Sequence, residues 1–139
     1  MNVKIRIPGD ERLDLVAVPV ASATVIAQGD LISYEGGLAV VLDAEAEDAT
    51  FIGVAEQGSS VGETTPIAVW NKCIVDAPVT SAAYTIGASI GLNAGGTALE
   101  ASADNTLFNS IEDTGGANAT TLKCLVDVAL LGKLFVNAS

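Results

Sequence analysis

Gly29-Asp30-Leu31-Ile32-Ser33-Tyr34-Glu35-Gly36-Gly37-Leu38-Ala39-Val40-Val41-Leu42 reads as a β-hairpin. Leu31–Tyr34 and Leu38–Leu42 are short runs rich in β-branched and aliphatic residues, which suits strands. Between them Glu35-Gly36-Gly37 reads as a tight turn, because glycine takes positive φ at little steric cost. An acidic loop, Asp43 to Asp48, follows the hairpin. Phe51-Ile52-Gly53-Val54-Ala55 is another strand. Pro66–Trp70 and Cys73–Asp76 are two more, or one long bent one.

The second half runs through the same order. Ala88–Leu92 is a strand, Asn93-Ala94-Gly95-Gly96 a turn, and Thr97–Glu100 the return. Leu107–Ile111 and Leu122–Leu131 complete it. Gly29 matches Gly87, and Gly36-Gly37 matches Gly95-Gly96. Asp48-Ala49-Thr50-Phe51 matches Asp104-Asn105-Thr106-Leu107, and Lys72–Asp76 matches Lys123–Asp127. Matches kept in order suggest a duplicated β-unit, with repeat units at 21–79 and 80–131. In both Lys-Cys-x-Val-Asp segments alternation puts Cys and Val on one face and Lys and Asp on the other. The one short helix expected is Ser81–Tyr84, with Thr80 or Ser81 as its cap. The fold class is therefore mostly β, a compact barrel or sandwich-like domain over 21–139, with at most short helices.

Residues 1–20 read as an extended N-terminal arm. Val3, Ile5 and Ile7 alternate with Lys4 and Arg6 until Pro8-Gly9-Asp10 breaks the pattern. Val16, Val18 and Val20 then alternate with Leu15 and Ala17. Two outcomes suit residues 3–7: pairing with another protein, or completing the domain's own sheet.

Composition limits the partners. Acids number 17 against 6 bases, a net charge of −11, and three of the bases are Lys4, Arg6 and Arg12. Nucleic acid and anionic membranes are disfavoured, because both need clustered Lys and Arg. No apolar run reaches membrane-spanning length. Charges at Lys4 and Arg6 occupy the place of a secretory signal's apolar core, so synthesis in a cytoplasm is expected. Cys73 and Cys124 sit in apolar runs and read as buried thiols.

Catalytic chemistry finds little support. The chain has no histidine, which removes the usual general base and the commonest metal ligand. No nucleophile elbow and no phosphate loop occurs. Asp43-x-Glu45-x-Glu47-Asp48 offers alternate acids but lacks the glycine and terminal glutamate of a calcium loop, so it reads as a solvated loop. Asn118-Ala119-Thr120 fits a glycosylation sequon and reads as a polar loop. Trp70 reads as core. No enzyme activity, cofactor or metal is expected. An acid-only hydrolase is the class with least in its favour.

Gly29–Tyr34, the Gly-Gly hairpin, the acidic loop and Phe51-Ile52-Gly53-Val54-Ala55-Glu56 together resemble the head decoration (cement) proteins of tailed phages. The resemblance covers most of residues 21–131 and rests on pattern and short motifs. It implies a structural protein on the outer capsid surface of the virion, commonly a homotrimer, which bridges major capsid protein subunits. It also implies an N-terminal arm that pairs with capsid strands, here Val3, Lys4, Ile5, Arg6 and Ile7, with Arg12 beyond. The alternative is a β-rich virion adhesion or tail-associated module that binds a host surface or glycan, for which Trp70, Tyr34 and Tyr84 are the only large polar-edged aromatics.

Overall fold

The computed structural model describes residues 2–7, 15–21, 24–42, 50–60, 66–93, 97–102 and 106–128. The strands are β1 (Lys4–Ile7), β2 (Leu15–Val18), β3 (Leu31–Glu35), β4 (Leu38–Val41), β5 (Phe51–Ala55) and β6 (Ile67–Trp70). They continue with β7 (Lys72–Ala82), β8 (Ser89–Leu92), β9 (Leu99–Ala101), β10 (Phe108–Ser110) and β11 (Ala119–Asp127). The described residues contain no α-helix.

The hairpin is β3–β4, with Glu35 opposite Leu38. Gly36 and Gly37 have φ of 60° and 83°. Positive φ at both central residues makes the turn twist with its strands. The five-stranded sheet runs β2-β6-β5-β3-β4. Its two ends meet at a parallel bridge, Val20 to Ala39, where the Ala39 N–H donates to Pro19 O at 2.7 Å. The six-stranded sheet runs β1-β7-β11-β10-β8-β9. There β7 also pairs in parallel with β9, Val79 opposite Leu99, so all but β1 close into a ring.

The two rings share one strand order, and their hydrogen bonds correspond. Gly29 N–H donates to Ala55 O at 2.8 Å, and Gly87 N–H to Ser110 O at 2.7 Å. Ala55 N–H donates to Asp30 O, and Ser110 N–H to Ala88 O, both at 2.9 Å. Leu42 donates to Leu31 O as Ser102 does to Ser89 O. The parallel bridges also correspond, Val20 with Ala39 and Val79 with Leu99. Equivalent segments thus run from Leu15 to Trp70 and from Lys72 to Asp127, with Asn71 between them.

Four sequence expectations change. The unit boundary falls at Asn71 rather than between 79 and 80, and residues 15–18 belong to the first ring rather than to an arm. Lys72–Asp76 and Lys123–Asp127 are not equivalents. They are antiparallel partners, with Lys72 opposite Asp127 and Asp76 opposite Lys123. Read in opposite directions, the shared Lys-Cys-x-Val-Asp pattern sets a cation across from an anion at each end, which favours the pairing. The Ser81–Tyr84 helix is absent. β7 continues to Ala82, which pairs with Ala119, because one isolated turn cannot offset the cost of helix nucleation.

The core has two parts. Val18, Val20, Ile26, Ile32, Ala39, Ile52, Ala55, Ile67 and Val69 fill the first ring. Leu31, Leu42, Phe51, Val54 and Trp70 belong to the other cluster, with Cys73, Val75, Ile90, Phe108, Leu122 and Val126. The first ring is therefore apolar on both faces, one filling itself and the other packing on its neighbour. That explains why all of Phe51–Ala55 is buried, whereas β7 alternates. Phe51 and Phe108 meet edge to face, 5.9 Å between centroids at 68°, a favoured aromatic geometry.

Candidate functional site

The N-terminal segment lies across both rings. Asn2 bridges to Asp30, and its amide Nδ2 donates to Gln28 O at 2.6 Å. Val3 N–H donates to Gly29 O at 2.8 Å, and the Val3 side chain is only 3% exposed. The chain then enters the second sheet, Lys4 opposite Asp76 and Ile5 opposite Val75. Ile5 packs on the core. Ile7 lies opposite Ile74 after a register shift. The second of the two outcomes open to residues 3–7 is the one seen, since they complete the chain's own sheet. No local pattern points to this partner, because β7 lies far along the chain and strand pairing leaves no local signature.

Lys4 and Arg6 are exposed on this strand. Arg6 Nη1 lies 3.3 Å from Asp76 Oδ2, with half of the Arg6 side chain in solvent. Such a pair contributes about 0–1 kcal/mol, so it orients Arg6 more than it holds the strand. Arg12 and the acidic run Asp43–Asp48 lie outside the described residues. Asn118 is exposed in the loop before β11. Trp70 is buried, as expected, 3% exposed.

Among the described residues no group of three or more His, Cys, Asp or Glu side chains could hold a metal. Cys73 and Cys124 are both buried, and neither is in a disulfide. They sit on adjacent strands, Cys73 opposite Val126 and Cys124 opposite Val75. Burial, then the nearby Glu112 and Asp76 carboxylates, push the Cys124 thiol up to about 12. It is a core side chain rather than a nucleophile. The folded state holds this proton more tightly than the unfolded chain does. Its contribution to stability is full below about pH 9 and is lost as pH rises toward 12. In a thiol-reagent titration at pH 8, Cys124 is expected to react only at the rate of unfolding. Rapid labelling of Cys124 in the folded protein would contradict its placement.

A second feature had no sequence signal that was read as functional. Ala21 N–H donates to Ala39 O, and Ala39 N–H to Pro19 O. Odd-numbered residues of this strand thus turn their backbone groups away from β6. Leu15 and Ala17 turn theirs toward an edge that no described strand covers. In the second ring the equivalent edge of β7 is covered by β1. The shared prolines, Pro19 and Pro78, each precede the valine of a parallel bridge. They are the repeat signal that could have located these edges.

No protein-family model matches this chain, and no curated protein matches it.

Proposed function

We propose that the chain is a non-enzymatic capsid decoration protein made of two copies of one β-barrel unit. It binds the outer surface of a phage head, bridges major capsid protein subunits and acts as a homotrimer. The observation that carries this reading is the exposed basic pair Lys4 and Arg6, displayed on a strand fixed across both rings of an otherwise acidic molecule. A fixed cationic strand suits an acidic groove on a protein surface, because its ordering cost is already met before binding. The Gly29–Glu56 resemblance supplies the identity of that surface. The absence of histidine from the sequence and the inert setting of Cys124 agree with a binding role.

Sedimentation with expanded empty capsids of the encoding phage tests the proposal. The wild type is expected to saturate at a fixed copy number. A Lys4→Glu/Arg6→Glu variant is expected to bind roughly tenfold more weakly at low salt, the difference shrinking as salt screens it. Failure of the folded wild type to bind, together with binding to cells or glycans, would replace this reading with the adhesion alternative.

A further inference from the structure

The two rings are equivalent strand for strand, yet among the described residues only one has its first strand covered. Leu15 lies opposite Trp70 as Ile74 lies opposite Leu125, and Ala17 opposite Ala68 as Asp76 lies opposite Lys123. β2 therefore corresponds to the half of β7 on which β1 is laid. Among the described residues, the molecule thus holds a filled example of a site that no strand fills on β2.

We propose that the Leu15–Val18 edge of β2 is a docking site for an extended, uncharged segment of a partner protein. The segment adds to the first ring as β1 adds to the second. This rests on the capsid-binding reading and names how a capsid segment would attach.

Three observations fit the occupant. Backbone groups of Leu15 and Ala17 face outward with no described partner strand, and an open edge of this kind is a template for strand addition. Val16 is half-buried and packs against the first core cluster. Its equivalent, Val75, is fully buried with Ile5 opposite it, so an apolar residue on the incoming strand would complete the burial of Val16. The third observation is charge. Asp76 accepts Arg6 in the filled site, whereas the equivalent residue here is exposed Ala17. Residues 4–7 of a second copy would bring Lys4 or Arg6 to a position with no acid, so a neutral partner segment fits better than self-association.

The test is an edge block. Ala17→Pro removes an N–H that points away from β6, in the same phase as Pro19, and so leaves the β2–β6 ladder intact. Ala17→Lys blocks the edge by charge and serves if the proline variant fails to fold. Each folded variant is expected to bind empty capsids at least tenfold more weakly than wild type. The loss should persist at high salt, unlike that of the Lys4/Arg6 variant. Wild-type binding by both folded variants would overturn the docking site while leaving the proposed function standing. No capsid binding by wild type would overturn both. Self-association of wild type that Ala17→Pro abolishes, with capsid binding unchanged, would assign the edge to a second copy and overturn the proposed occupant.

Discussion

Deletion of residues 1–7 is expected to lower the melting temperature by roughly 10 °C. Val3 is buried at 3% exposure and Ile5 packs on the same cluster. Full burial of one such side chain contributes about 1.5–3 kcal/mol. Deletion also uncovers the Ile74–Asp76 edge of β7 and leaves the Gly29 carbonyl without the Val3 N–H. Ordering the segment costs about 1–2 kcal/mol of backbone entropy per residue, which is comparable to the whole apolar gain, so the ladder hydrogen bonds to β7 and the Val3–Gly29 bond must supply the surplus that holds β1 in place. A surplus on the order of 3 kcal/mol corresponds to about hundredfold occupancy of the ordered state, and in a chain of this size each kcal/mol moves the midpoint by about 2–4 °C. Thermal unfolding followed by circular dichroism measures it. A midpoint within about 2 °C of wild type would contradict the placement of β1. The same result governs functional work. Lost capsid binding by a truncated protein would report instability as readily as a missing contact, which is why charge and edge substitutions are the better probes.

Gly53→Ala is expected to be the most damaging single methyl in the described chain. Gly53 sits inside β5 with φ of +148°, where side chains are strained. A Cβ there would lie 2.0 Å from the Trp70 backbone oxygen and 2.8 Å from the Trp70 carbonyl carbon. Neither atom is the end of a flexible side chain, so β5 and β6 must separate. The register of β5 against β3 slips beside this residue, Ile32 facing Gly53 while Ser33 faces Phe51. This is the mark of a bulge. The expected cost is about 4 kcal/mol or more, in the range reserved for core disruption. The readout is loss of soluble folded protein, or a large drop in the denaturation midpoint. Gly36→Ala is the control. Its Cβ would meet nothing within 4 Å, so only the φ penalty applies, about 1 kcal/mol. Equal effects of the two substitutions would contradict the close approach of β5 to Trp70.

How much could be read from sequence depended on how local the determinant was. Gly36-Gly37 fixed a hairpin because positive φ is a property of the two residues themselves. The continuous run Phe51–Ala55 marked a strand without telling that both its faces are covered, since that depends on the second ring. Lys72–Asp76 and Lys123–Asp127 were alike for a reason that composition could not reveal, as each is the other's antiparallel partner. Val-Pro-Val at 18–20 and Ala-Pro-Val at 77–79 carried the true repeat but were hidden by short, common residues. The unusual character of Val3–Ile7 was legible in its alternation and charge. Its partner was not, because Asp76 and Gly29 reach it only through the finished fold. The edge of β2 that no described strand covers was invisible for the same reason.

The account rests on a first strand that is fixed before any partner arrives. Hydrogen–deuterium exchange of the Val3 amide in the free protein tests this most directly, since that N–H is held by the Gly29 carbonyl at 2.8 Å. The predicted result is protection of roughly a hundredfold or more over an unstructured peptide, without added capsid. Exchange at the unstructured rate in the free protein, with protection only after capsid is added, would contradict it and restore a loose arm that folds on binding.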